Sequence, residues 1–393
     1  MYILGVNISH HASVCLLKDG EVIFYLEDDR LSRNKEAPFE RSSELLSLEK
    51  VVEYTDHIDH IIFCSFGRIL FQSTGKYPYD TDDNIIKYIL ERVKFTYDNV
   101  HYEKEHHLYH AYNAFYSSGF KSGAALVLDG GGISLEGCED DLPISTCVEI
   151  KFLELGQFYR EGETMYTFDS NGKSQCIFKN YTTNEFWGRS MYQPEKIEDN
   201  VFVSSSLGCA SLFNQITIAI GLHGSQVGKT MGLSSYGNTD HLIDPWFKKD
   251  DKTGIWVTDN MAILRLLYNK YPQFYSALKN NYIPTDRKWK FNSDNIKDAS
   301  DIAKKMQEET KKHTIRLIQD LLDRTCTNNI VLSGGYFLNC VNNYEYVKEF
   351  PEVNFYIDPC AHDGGTAMGA ARYVWHYILK NTKRHTLDTL FFG

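Results

Sequence analysis

A short apolar run, Ala124-Ala125-Leu126-Val127-Leu128, stops abruptly at Asp129-Gly130-Gly131-Gly132. Five apolar residues bounded by turn residues read as a buried strand, so the chain must place a covered sheet at its centre. A carboxylate at the end of such a strand, with glycines after it, is a common seat for a metal ion or a phosphate. Just upstream lies Glu105-His106-His107-Leu108-Tyr109-His110-Ala111-Tyr112-Asn113-Ala114-Phe115. On a helix, His106 and His110 stand one turn apart on the same face, which lets two imidazoles converge on one metal ion. Alone, that helix could equally be a surface helix with solvent-facing histidines. With Asp129 at the strand end, a site becomes the favoured reading.

The 393 residues suffice for two lobes, each with its own core. No apolar run approaches the roughly 20 residues that span a bilayer, so no membrane association is expected. The first residues, Met1-Tyr2-Ile3-Leu4-Gly5-Val6, lack a basic region and read as a strand, not a signal peptide, which points to the cytoplasm. The nine cysteines form no CxxC pair, which excludes zinc-finger and thioredoxin readings. A formal net charge of -11 argues against phosphate-driven binding to nucleic acid.

In chain order, residues 2–8 predict a strand, 9–13 a small polar turn, and 14–17 and 22–26 a hairpin about Asp19-Gly20. A strand, a turn able to touch phosphate and a hairpin is also how actin-like ATPases begin. The charge run 27–35 reads as a solvated loop. Helices are expected over 42–54 and 83–94, with a strand at 58–63 between them. From Cys147 to Gly188 short β segments broken by Gly162, Asn171-Gly172 and Asn180 predict an antiparallel meander. A helix is expected over 207–222. Gly228-Lys229-Thr230 is not a P-loop, because His223 stands where that motif needs its first glycine.

Residues 240–295 read as an irregular, lid-like helical insert. Its Tyr282, Arg287, Lys288, Trp289 and Lys290 could stack on a nucleobase. The stripe Ile302, Met306, Thr310, His313, Leu317 and Leu321 predicts a long helix over 299–323, with His313 as a core residue. Strands at 329–332 and 353–357 end in Ser333-Gly334-Gly335, opening a helix through Asn339, and in Asp358-Pro359-Cys360-Ala361-His362-Asp363-Gly364-Gly365, leading to a helix from Thr366. Asp363 is therefore a second carboxylate at a strand-to-helix junction.

Six segments, in order, together resemble one family. His106-His107-Leu108-Tyr109-His110-Ala111 is similar to the HHLxHA motif of the O-carbamoyltransferases of antibiotic and nodulation-factor pathways, the cephamycin, tobramycin and NodU-type enzymes. Gly228 to Gly237 resembles their GKxMGLAxYG, and Ser333 to Cys340 their SGGxxLNC. His362 to Ala371 resembles GDxGxAxGAA, with His362 for the first glycine. Asp29 to Lys35 echoes ERxxRxK, with Asp for Glu. His11-Ala12-Ser13 echoes HDS, with Ala for Asp.

The resemblance implies an α/β chain with the two-lobed actin-like (ASKHA) fold, shared with tRNA threonylcarbamoyl-transfer proteins. The first lobe would span 1–205 and the second 206–393, with the nucleotide in the cleft between them. It implies a metal held by His106, His110, Asp129 and Asp363, with iron preferred and manganese, zinc or magnesium as alternatives. ATP is the implied nucleotide, with Gly130, Gly131, Gly334, Gly335, Asn339 and Gly364 as its candidate contacts. The implied reaction moves a carbamoyl group from carbamoyl phosphate, by way of carbamoyladenylate, to a hydroxyl on a small molecule, a sugar or a hydroxymethylated nucleobase. His11 or His107 would take the hydroxyl proton, and Lys229 would neutralise phosphate charge. Family enzymes usually continue into a YrdC-like domain that makes the carbamoyladenylate. The chain stops at Gly393 without room for one, so the expectation is either a separate carbamoyladenylate-forming protein as partner, or a compact variant or a subunit. The rival readings are threonylcarbamoyl transfer to tRNA and a non-catalytic metal- and nucleotide-binding subunit. A metallopeptidase lacks its HExxH helix here.

Overall fold

A computed structural model of the chain describes residues 1–9, 11–33, 35, 45–64, 82–102, 105–135, 159–184, 186, 194–279 and 295–392. Its first sheet has the order β3-β2-β1-β4-β5, from β1 (Tyr2–Asn7), β2 (Ser13–Lys18), β3 (Glu21–Glu27), β4 (His57–Cys64) and β5 (Thr96–Tyr102). The first three strands are antiparallel, and β1, β4 and β5 run parallel. The β2–β3 turn is the expected Asp19-Gly20, at φ 52° and 88°. Both residues of a tight hairpin turn need that left-handed backbone, which aspartate tolerates and glycine adopts freely.

The second sheet runs β14-β13-β6-β7-β8-β10-β9. Its strands are β6 (Gly123–Leu128), β7 (Arg160–Phe168), β8 (Ser174–Thr183), β9 (Glu195–Glu198), β10 (Val201–Leu207), β13 (Asn329–Ser333) and β14 (Asn354–Ile357), while β11 (Phe247–Lys249) and β12 (Trp256–Thr258) pair as a separate hairpin. β6, β13 and β14 are parallel, and β7 and β8 form an antiparallel hairpin alongside. Gly162 and Asn180, read as breaks, lie inside strands. Gly162 instead sits at a register shift in β7, where a bulge needs one extra residue.

Between the two sheets lie two helices, His106–Ser118 and Thr366–Tyr373. The histidine helix packs on β6 and β13, and the later helix on β1, β2 and β4. Their contact is close because Gly369 has no side chain: a Cβ there would overlap the Tyr109 carbonyl. Gly5 plays the same part on β1, where a Cβ would overlap the Ala367 carbonyl. Tyr109, Tyr112, Phe115, Val127, Val331 and Met368 join Ile3 and Leu17 in this middle core. Each large side chain buried there contributes roughly 1.5–3 kcal/mol. A second core lies beyond the first sheet, with Leu48, Val51, Ile85 and Ile89. The third packs the long helix Ile296–Thr325 and the helices Cys209–Ala219 and Asn260–Lys270 on the far face of the second sheet.

This is the expected two-lobed actin-like arrangement, but its sheets divide the chain elsewhere than after residue 205, which falls within β10. The first sheet is built from residues 2–102 with the helix Thr366–Tyr373 laid on it. The second takes strands from both sides of the expected boundary. Other differences are local. The helix expected over 42–54 is two short turns, Leu46–Glu49 and Lys50–Glu53, with residues 42–44 outside the described part. The helix expected through Asn339 is one tight turn, Gly335–Leu338, followed by a helix Cys340–Glu349. Within 240–295 stand a small hairpin and the helices Asn260–Lys270 and Pro272–Lys279. The aromatic and basic cluster from Tyr282 to Lys290 lies outside the described residues, as do residues 147–158 of the expected meander. No described helix is long and apolar enough to cross a membrane.

Candidate metal centre

Residues 106–117 of the histidine helix are all buried, and Gly119 ends it at φ 75°. A helix buried on every side carries its polar groups into the interior, where each needs a partner. His106 and His110 project from one face, as their spacing predicts, with their Nε2 atoms 3.2 Å apart. Asp129 reaches them from the end of β6, its Oδ2 3.5 Å from His106 Nε2. Asp363 arrives from the tight turn that precedes Thr366–Tyr373, its Oδ1 3.6 Å from both Nε2 atoms. The four donor atoms all lie within 4.8 Å of one another, and all four residues are buried.

Both carboxylates are fixed from behind. Asp129 Oδ1 accepts from the Gly335 amide at 2.9 Å. The turn of Asp363 is tied to the first sheet: Asn7 Nδ2 donates to the Asp363 carbonyl at 2.9 Å, and Ser13 Oγ donates to the Gly364 carbonyl at 2.8 Å. The site is therefore completed only when the two sheets stand in their native relation.

The electrostatics follow from this crowding. Burial alone would hold the His106 imidazole neutral, but the Asp129 and Asp363 carboxylates outweigh it and push its pKa up to about 9. Burial and the nearby Asp363 would raise Asp129, yet its bond to His106 and the adjacent His110 hold it well below the usual carboxylate range. Two imidazole nitrogens and two carboxylate oxygens converging on one point suit a borderline divalent ion, whose bonds of about 2.0–2.2 Å would draw the donors slightly inward. His110 Nδ1 is buried without a hydrogen-bond partner, so no bond of its own competes for the ring's orientation. The donor set thus fits a metal ion.

His107 has a different role from its neighbours. Burial pushes its pKa down to about 4, and Nδ1 meets Thr164 Oγ1 at 2.7 Å. Its ring lies beneath Gly132, where a Cβ would meet His107 Cδ2 and Glu161 Oε2. His11 is half-buried beside the Asp363 turn, its ring 4.8 Å from that of His362, and Asn7 Nδ2 joins its carbonyl to that turn at 2.8 Å. Lys229 is exposed on the helix Val227–Leu233, and no ion pair ties it to any described residue.

The expected nucleotide glycines divide into open and occupied positions. Gly130 has open space where a side chain would stand. Gly334, at φ 96°, packs against the Leu128 carbonyl, and the Gly335 amide is spent on Asp129. Asn339 caps the helix Cys340–Glu349, accepting from the Asn342 amide at 3.2 Å, and exchanges hydrogen bonds with the Gln307 side chain. Gly364 lies under His362, whose Nδ1 accepts its amide at 3.0 Å. The histidine in place of the family glycine therefore caps the turn that carries Asp363.

Several residues of the site escaped sequence reasoning. Asp358 is buried and accepts from Asn113, Ser333 and the Cys360 amide. Glu161 accepts from Lys179 at 2.6 Å and from the Ile133 amide at 3.0 Å. Glu163 meets His313 Nε2 at 2.7 Å, and the His313 ring stacks on Phe247, so His313 is the core residue its helix position implied. The one available signal was the density of charge in Arg160-Glu161-Gly162-Glu163, unusual for a strand buried at nearly every position.

Residues 162–372 match a family model described as the carbamoyltransferase N-terminus. The nodulation protein NolNO of Sinorhizobium fredii is 23% identical over 98% of this chain and 49% of its own length. An uncharacterized protein of Synechocystis is 24% identical over 97% of this chain and 58% of its own. The chain thus spans about half the length of the curated relatives it matches. Among solved structures, full-length HypF in its phosphate- and nucleotide-bound form superimposes with a TM-score of 0.54 at 15% identity, over 98% of this chain and 56% of HypF.

Proposed function

Because the chain belongs to the carbamoyltransferase family, we propose that it transfers a carbamoyl group from carbamoyladenylate to a hydroxyl acceptor at the centre of His106, His110, Asp129 and Asp363. The observation that carries this reading is the convergence of four buried donors from segments more than two hundred residues apart. A bound divalent ion, iron foremost, would supply Lewis-acid polarisation of the carbamoyl carbonyl. The chain's own residues do the rest. Asp129 and Asp363 hold the charge of the site, and the open flank of Gly130 admits phosphate oxygens close to the backbone.

In the transfer, the acceptor oxygen bonds to the carbamoyl carbon, the bond from that carbon to the phosphate oxygen breaks, and AMP leaves. The hydroxyl proton must go to a base. His11 suits this role better than His107, because it is only half-buried and adjoins the Asp363 turn, whereas His107 is sealed beneath Gly132. ATP and carbamoyl phosphate are the precursors of the donor. The acceptor is the hydroxyl of a small molecule or sugar, or a hydroxymethyl group on a nucleobase.

Two measurements test the proposal. Metal analysis of the purified chain should find one ion, lost in a His106→Ala, His110→Ala double variant. Intact-mass analysis of candidate acceptors should find one added carbamoyl group after incubation with donor, supplied either as ATP with carbamoyl phosphate or as preformed carbamoyladenylate. Asp363→Asn should lower metal binding and transfer by about tenfold to a hundredfold. If Asp363 merely caps its turn, that substitution leaves both near normal, since asparagine caps about as well. Metal content unchanged in the double variant would sink the site assignment.

A further inference from the structure

Arg160 opens β7 directly beside the glycine loop that follows Asp129. It is 9% exposed, yet it makes no ion pair with any described residue. Among the described residues its side chain makes one hydrogen bond, from Nη1 to the Gly132 carbonyl 3.1 Å away, which uses one of five N–H groups. The described carboxylates nearest in sequence are already engaged. Glu161 accepts from Lys179 and the Ile133 amide, and Asp129 from the Gly335 amide while facing His106. The contrast with Lys179 is informative. That lysine is more deeply buried on the neighbouring strand and has its own carboxylate at 2.6 Å.

Among the described residues the guanidinium therefore has no counter-charge, and an unbalanced buried charge is strongly unfavourable. Such a group is retained where an anion arrives to complete it. The surroundings indicate where. The Arg160 stem lies against Gly131, where a Cβ would come 3.1 Å from its Cδ and 3.0 Å from Asn184 Nδ2. Ser211 Oγ lies 2.8 Å from the Gly130 carbonyl and 2.9 Å from Asn184 Oδ1, between the loop and that side chain. Beside Gly130 the space is open. A guanidinium, an amide side chain and an unobstructed glycine therefore line up along one three-residue loop, which begins at the residue after Asp129. With a divalent ion offsetting Asp129 and Asp363, the guanidinium leaves this corner one positive charge in excess. Its planar fork matches two oxygens of a phosphoryl group.

We propose that Arg160, with Asn184 and the Gly130–Gly132 loop, binds a phosphoryl group of the substrate beside the metal centre. The identity of the phosphate carrier rests on the carbamoyl-transfer reading; the anion site does not. Two carriers share the chemistry, the adenylate of the donor and a phosphorylated acceptor, and they are distinguished by AMP and 5-hydroxymethyl-dCMP as probes.

Calorimetric titrations of the metal-loaded protein with inorganic phosphate and each probe test this, with metal content measured in parallel. The wild type should bind phosphate and at least one ester. Arg160→Gln should weaken that binding tenfold or more while the metal remains. A loss confined to AMP assigns the site to the donor, and one confined to 5-hydroxymethyl-dCMP assigns it to the acceptor. Where Arg160→Gln fails to fold, Arg160→Lys keeps the charge without the fork and should bind phosphate several-fold more weakly. A wild type that binds neither phosphate nor ester overturns the proposal, as does a folded variant with wild-type affinity, which would make Arg160 a staple for Gly132 only. Absence of metal with phosphate binding intact would count against the metal-centre reading and leave the anion site standing.

Discussion

Binding of a metal at the proposed centre must expel a proton. His106 is held between Asp129 and Asp363 with its pKa raised to about 9, so in the metal-free protein it carries a proton at pH 7. A metal needs the neutral imidazole. At pH 7 only about one molecule in a hundred offers it, so apparent affinity should rise about tenfold per pH unit towards 9. From pH 7 to 9 the neutral fraction rises about fifty-fold, which amounts to about 2.3 kcal/mol. At an unperturbed histidine site the same rise would end near pH 7, and the affinity would be flat above it. Titration with Mn²⁺ in buffers of different protonation heat counts the protons directly. About one should leave per ion at pH 7–8, and the number should fall as pH approaches 9. In Asp129→Asn the carboxylate that retains the proton is gone, so less proton release is expected even though the affinity drops. An affinity independent of pH between 7 and 8.5, with no proton released, would refute the electrostatic reasoning and with it the assignment of His106 as a donor.

Two further outcomes concern stability. Gly5→Ala and Gly369→Ala each set a methyl group into a backbone carbonyl, Ala367 and Tyr109 respectively, and each should cost at least about 2 kcal/mol in urea unfolding; near-wild-type midpoints would mean that the helix pair is less closely packed than described. His376 stacks on Tyr116 with centroids 3.6 Å apart, and burial pushes its pKa down to about 3. A depressed histidine pKa favours the neutral folded form, so its contribution is complete above about pH 6.5 and lost as pH falls towards 3, about 2–3 kcal/mol of it by pH 4.5. His376→Phe should keep the stack and remove that part of the acid sensitivity, and parallel unfolding curves at pH 7 and 4.5 for both proteins would count against the assignment.

The parts of this molecule legible in its sequence are those decided locally. The run Ala124–Leu128 is apolar because it is buried on both faces, and His106 and His110 share a face because a helix repeats every 3.6 residues. The parts that were not legible depend on partners distant in the chain. β5 reads Thr-Tyr-Asp-Asn-Val-His-Tyr because it is a largely exposed edge strand, so it shows no alternation towards a core. Glu163 and Lys179 look like surface residues until His313 and Glu161 are brought to them. Gly335 and Asn339 carry the look of nucleotide contacts, but one amide is needed by Asp129 and one side chain by Gln307. Asp363 was placed in the centre only through the family resemblance, since no local rule links it to a histidine pair so far upstream.

The helix Thr366–Tyr373 fills the inner face of a sheet whose strands lie within the first 102 residues. On a ribosome adding about 5–20 residues per second, some 20–70 s separate the emergence of Gly5 from that of Ala367. Throughout that interval Ile3, Cys15 and Leu17 have no native cover. The nascent chain thus waits with an apolar surface open to chaperones, and the cluster of His106, His110, Asp129 and Asp363 cannot assemble before synthesis has passed Asp363.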